Sequence, residues 1–114
     1  MKRRTAEVLI ALISVGAASC GSDGRTSQVV EIVVPAGTQD RLDRGEIVDV
    51  MPAVLEFRVG DTLRIRNDDR VAQFVGPYRV LAGQRFEFQY GSTGRYGGLC
   101  DLSGAASYEI VITE

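Results

Sequence analysis

Phe57-Arg58-Val59-Gly60-Asp61-Thr62-Leu63-Arg64-Ile65-Arg66-Asn67-Asp68-Asp69 decides how this chain reads. Leu55, Phe57 and Val59 alternate with Glu56 and Arg58, and Leu63 and Ile65 alternate with Arg64 and Arg66. A side-chain period of two puts the apolar set on one face and the charged set on the other, which is a half-buried β-strand. Gly60-Asp61 reads as the turn that joins two antiparallel strands, and Asn67-Asp68-Asp69 as a solvated turn, since Asn and Asp side chains bond their own backbone.

Similar short runs extend in both directions. Gln28 to Val34 carries Val29, Val30, Ile32 and Val33, and Pro35-Ala36-Gly37 closes it. Thr38 to Gly45 is charged and reads as a loop or a short helical turn. Ile47 to Met51 reads as a short strand stopped by Pro52. Further on, Val71–Val75, Tyr78–Leu81, Arg85–Tyr90, Tyr96–Cys100 and Ser107–Thr113 are β-type runs separated by Gly, Pro and Asp turns. Seven to nine short strands with no helical period indicate an all-β domain, a Greek-key sandwich or barrel, over residues 28–114.

The start of the chain has a different character. Lys2, Arg3 and Arg4 precede an apolar run, Val8 to Ala18, and Ala17-Ala18-Ser19 lead directly to Cys20. This order describes a secretory signal peptide over residues 1–19, and the run is well short of the ~20 apolar residues of a spanning helix. A cysteine at that point resembles the lipobox of bacterial lipoproteins, which implies a diacylglycerol on the Cys20 thiol. Residues 20–27, with Gly21-Ser22-Asp23-Gly24, then form a flexible tether. The expectation is an exported protein held to a membrane of the bacterial envelope by lipid.

Charge narrows the partners. The whole chain has 13 basic and 15 acidic residues. Without residues 1–19 the counts become ten and fourteen, a balance of −4. That disfavours a nucleic-acid surface and general attraction to anionic lipid. Arg64, Arg66, Arg70, Arg79 and Arg85 are interleaved with acidic residues and read as the solvated face of a sheet.

Two motifs in order carry a resemblance. The strand pair Phe57-x-Val59-Gly60-Asp61-Thr62-Leu63-x-Ile65-x-Asn67-x-Asp69, followed by Gly94-x-Tyr96-x-x-x-Cys100, resembles the cupredoxins, the blue-copper family. The resemblance spans roughly residues 28–114 and implies a cupredoxin-like sandwich. An immunoglobulin-like sandwich fits less well, because tryptophan is absent and the tyrosine stands four residues before the cysteine rather than two. The resemblance also implies where copper ligands would stand: an imidazole near Gln73, the thiolate of Cys100 and a second imidazole near Ser103.

The chain departs from that pattern at the decisive point, because it contains no histidine. A blue-copper centre takes two imidazoles and a thiolate in one plane. Gln73 and Ser103 are weak donors, and Met51, the one methionine outside the leader, lies far away in sequence. Cys100 therefore reads as a small buried hydrophobe beneath the loop Asp101–Ser107, with Gln73 bonded to local backbone. Cys100 also has no histidine to activate it as a nucleophile. These residues point to a non-enzymatic, metal-free binding or scaffold domain without a cofactor, whose partner is an envelope protein or a small ligand. The alternative is a copper-binding or electron-transfer protein that combines Cys100 with atypical or partner-supplied ligands.

Overall fold

The computed structural model describes residues 26–114. Eight strands and one short helix follow in the order β1 (Val29–Val34), α1 (Thr38–Asp43), β2 (Val54–Arg58), β3 (Thr62–Asn67), β4 (Gln73–Val75), β5 (Tyr78–Val80), β6 (Arg85–Gln89), β7 (Gly94–Leu99) and β8 (Ser107–Thr113). The fold is all-β, and the strand count lies within the expected seven to nine. Cys20 and the leader lie outside the described residues. Among the described residues no helix is long and apolar enough to cross a membrane.

The strands form two three-stranded sheets, β1-β3-β6 and β2-β8-β7, and a separate β4-β5 ribbon. The period-two pattern explains the layer between them. Ile32 and Val34 of β1, Leu63 and Ile65 of β3, Leu55 and Phe57 of β2, and Ile110 and Ile112 of β8 are all buried. Phe57 and Tyr90 close the layer with ring centroids 4.8 Å apart.

One expectation is overturned here. β2 and β3 are not an antiparallel hairpin. β2 runs parallel to β8, with Val54 opposite Glu109, while β3 runs parallel to β1 and antiparallel to β6. Gly60-Asp61 is a corner between the sheets. Gly60 takes φ 100°, a left-handed conformation that glycine adopts at little cost. Asp61 is wholly buried; its Oδ2 accepts from the Arg58 N–H (2.8 Å) and its Oδ1 from the Gln28 N–H (3.0 Å). The Gly60 N–H reaches the Tyr90 carbonyl at 2.8 Å. Alternation reports which face of a strand is buried, and two strands that face each other across a core show the same alternation as two paired neighbours.

Ile47–Met51 is also not a strand. Val50 and Met51 both donate their N–H to the Leu102 carbonyl (2.7 and 2.8 Å), so this segment is strapped to the loop after β7. Val48 and Met51 are buried while Ile47 is 78% exposed. The strap serves the core and the loop together.

Candidate functional site

The end of β3 organises the region where the sequence placed its candidate residues. Asn67 is wholly buried. Its side-chain amide donates to the carbonyls of Val71 (2.9 Å) and Val80 (3.0 Å), and its Oδ1 accepts from the Asp69 N–H at 2.9 Å. The turn chemistry expected of Asn67 is present. Asp68 is exposed and paired with Arg66 at 3.1 Å.

Asp69 overturns the reading of a solvated turn, because it is buried at 4% exposure. Its carboxylate accepts from the N–H groups of Gly37 (3.1 Å) and Gln39 (2.8 Å), and from Gln73 Nε2 (2.9 Å). The helix α1 begins at Gly37, which has no side chain to cap it, so Asp69 satisfies the first donors of the helix from across the fold. Burial alone would push the Asp69 carboxyl up. The hydrogen bonds from the Gln73 side chain and from the backbone of Gln39, Arg70 and Gly37 outweigh it and hold the carboxyl below its ordinary value.

Gln73 itself is buried, and its amide nitrogen also reaches Gln39 Oε1 at 3.1 Å. Its partners are side chains, not the local backbone expected from the sequence. Cys100 stands just past the end of β7 and is 5% exposed. Its Sγ lies 4.0 Å from the Phe74 carbonyl oxygen, and its N–H is held by the Ala106 carbonyl at 3.1 Å. Ser103 Oγ accepts from the Ala105 N–H at 3.2 Å, inside a tight loop whose Ala106 has φ 63°. Asp49 Oδ1 pins the same loop through the Gly104 N–H at 3.1 Å.

Gln73, Cys100 and Ser103, more than twenty-five residues apart at the extremes, thus line one cleft of about 890 Å³. Its rim carries Ile47, Phe74 (62% exposed) and Leu99 (87% exposed), and its lining includes Asp43, Glu46 and Asp101. The apolar rim and Asp49 escaped the sequence reading, and Asp69 shows in it only as turn chemistry. Gly37 ahead of Thr38-Gln39-Asp40, a helix start without a capping side chain, is the one local sign that a carboxylate had to come from elsewhere.

The donor chemistry does not suit a blue-copper centre. Among the described residues no three His, Cys, Asp or Glu side chains converge on one point. Gln73 offers only an amide oxygen, a weak donor for copper, on a side chain whose amide nitrogen is tied to Asp69 and Gln39, and Ser103 Oγ accepts from its own loop. Met51 is wholly buried and packs under Gly76, where a Cβ would lie 3.2 Å from its methyl group. Cys100 is left as a single soft donor. Arg95 forms an ion pair with Glu109, its neighbour across β7 and β8.

No protein-family model matches the chain, and no curated protein matches it. Among solved structures it is similar to a purple cupredoxin from Nitrosopumilus maritimus, at 23% identity over 73% of this chain and 98% of that one, with a TM-score of 0.43. It is also similar to a methionine-to-alanine variant of amicyanin in its Cu(I) form, at 18% identity over 72% of this chain and 81% of that one, TM-score 0.41. A reduced tryptophan-to-tyrosine variant of amicyanin aligns at 12% identity over 79% and 87%, TM-score 0.42.

Proposed function

We propose that this chain is an exported lipoprotein whose β-sandwich is a metal-free, non-enzymatic binding or scaffold domain at the cell envelope. The observation that carries the reading is the Asp69–Gln73–Gln39 network. It fills the place that the resemblance assigned to a metal ligand with hydrogen bonds from the Gln73 amide nitrogen to Asp69 and Gln39. What remains beside it is a cleft with an apolar rim and no histidine, a surface suited to holding a partner or small ligand directly. The thiol of Cys100 has no imidazole to act as its base, which supports a role without catalysis.

Copper loading tests this reading. Full-length protein given one equivalent of Cu(II) is expected to show no intense visible charge-transfer band, because the thiolate would lack the two nitrogen ligands that hold copper in its plane. A strong blue or purple colour that disappears in Cys100→Ala would replace this reading with copper binding through atypical ligands.

The anchor is tested separately. Lipid on Cys20 implies that the processed protein sediments with membranes and that Cys20→Ser releases it or blocks processing. Mass spectrometry that finds an unmodified N-terminus at another residue would remove the lipoprotein half of the proposal and leave the cleft half standing.

A further inference from the structure

The buried polar residues among those described are Thr38, Asp61, Asn67, Asp69, Gln73 and Ser103. Thr38 Oγ1 donates to the Pro35 carbonyl, Asp61 and Asp69 accept on both carboxylate oxygens, and Asn67 bonds through both its nitrogen and its oxygen. Gln73 and Ser103 are only half used. The Gln73 nitrogen donates to Asp69 Oδ2 and Gln39 Oε1, both acceptors, which fixes the orientation of the amide. Its Oε1 then has no partner among the described residues. Ser103 Oγ accepts from the Ala105 N–H, and its own proton finds no acceptor among the described residues.

A buried polar atom without a partner is costly, and native folds leave few of them. Both of these belong to one cleft, although Gln73 opens β4 and Ser103 sits in the loop between β7 and β8. Gln73 is 6% exposed and Ser103 4%, whereas Ile47, Phe74 and Leu99 on the same cleft are exposed. The polar pair therefore lies deep and the apolar side chains stand at the mouth. A volume of about 890 Å³ is within the range of small-molecule sites, roughly 300–1,000 Å³, which pair an apolar lining with a few placed polar groups. Donation from the Gln73 nitrogen to the Asp69 carboxylate also polarises the amide and makes Oε1 a stronger acceptor.

The two unused groups differ in kind. Oε1 needs a donor and the Ser103 hydroxyl needs an acceptor. A carboxylate would serve Ser103 and leave Oε1 unpaired. It would also enter a cleft lined by Asp43, Glu46 and Asp101 and by no lysine or arginine, although Glu46 is itself held by Arg41 and Arg44. An ammonium would serve Oε1 and leave the Ser103 proton unpaired. A neutral group that both donates and accepts serves both.

We propose that the cleft takes a small neutral organic molecule that presents a hydrogen-bond donor and an acceptor together, as a carboxamide does, on an apolar body. The head meets Gln73 Oε1 and the Ser103 hydroxyl, and the body lies against Phe74, Leu99 and Ile47. This names the ligand class for the cleft proposed above and rests on that reading.

Probes matched in body and differing in head test it. Benzamide, benzoate and benzylamine, and the same three heads on an isobutyl body, are titrated into the full-length protein. Backbone amide resonances of Phe74, Leu99, Cys100 and Gly104 are followed against those of β1 and β2. The amides are expected to shift the cleft resonances saturably and to bind about tenfold tighter than the carboxylates or the amines, the cost of leaving one buried group unpaired. Ser103→Ala is expected to weaken the amides by about the same factor and to leave the amines unchanged, which a merely loosened loop would not do. Equal binding of the three heads, as when a held water already serves both groups, overturns the ligand class and leaves the cleft reading standing. Tightest binding by the amines or the carboxylates does the same. Cleft resonances that no probe moves overturn both.

Discussion

Asp69→Ala is expected to destabilise the domain by about 3 kcal/mol, the largest effect of any single polar side chain in the region. The carboxylate accepts from two backbone N–H groups and one amide. Hydrogen bonds to a charged group are worth roughly 1.5–3 kcal/mol each, and a buried donor stranded without a partner costs a comparable desolvation penalty. These contributions share one site and do not add in full. Asp69→Asn keeps one acceptor oxygen and is expected to cost about half as much. Urea unfolding with an unchanged m-value measures both. A shift under about 1 kcal/mol for Asp69→Ala would show that water replaces the carboxylate and that the network is not structural.

The same group sets an acid limit. The folded carboxyl titrates below its ordinary value of 3.8. The unfolded chain therefore binds the proton at a higher pH than the folded one. The stability Asp69 contributes is present above the ordinary value and is lost as pH falls through the lower, folded one. Parent and Asp69→Asn unfolding curves should converge as the pH is lowered through that range. Parallel curves would mean that the carboxyl is not held down in the fold.

Cys100→Asp is expected to unfold the domain or cost at least about 3–4 kcal/mol, because it places a carboxylate in a site with 5% exposure and no cation beside it. Arg95 is engaged with Glu109 on the outer side of β7. Cys100→Ala removes only a sulfur atom from the core edge and is expected to cost about 1–2 kcal/mol. The gap between the two separates a thiol that packs from a thiol that faces water. If Cys100→Asp is as stable as Cys100→Ala, the cleft floor is wet and Cys100 is available to a ligand. Rapid reaction of the native thiol with a small reagent would likewise show an accessible sulfur.

Much of the architecture was legible because strand periodicity is a local property. Leu55, Phe57, Leu63, Ile65, Ile110 and Ile112 sit where their alternation put them, facing the core. Asn67 bonds the turn that follows it, since its partners lie within a few residues or on the adjacent ribbon. The strap at Ile47–Met51 was misread because a short apolar run looks the same whether its backbone bonds a strand or, as here, one carbonyl on a distant loop.

Residue type and a spacing of two along the backbone are enough to establish the β class, the inward faces of the strands and the lack of any imidazole for a metal. Three other features came only with the folded chain: β2 and β3 face each other from different sheets, Asp69 rather than Asp68 is the buried acid, and Ile47–Met51 is a strap on the loop after β7. Each of these depends on partners far along the chain. Gln39 and Gly37 lie 30 and 32 residues from Asp69, and β8, which takes β2 as a parallel neighbour, lies more than fifty residues beyond it. Adjacent aspartates carry the same local pattern. Which of them loses its water is settled only when a helix start, arriving from another part of the chain, presents its unpaired N–H groups to one of the two.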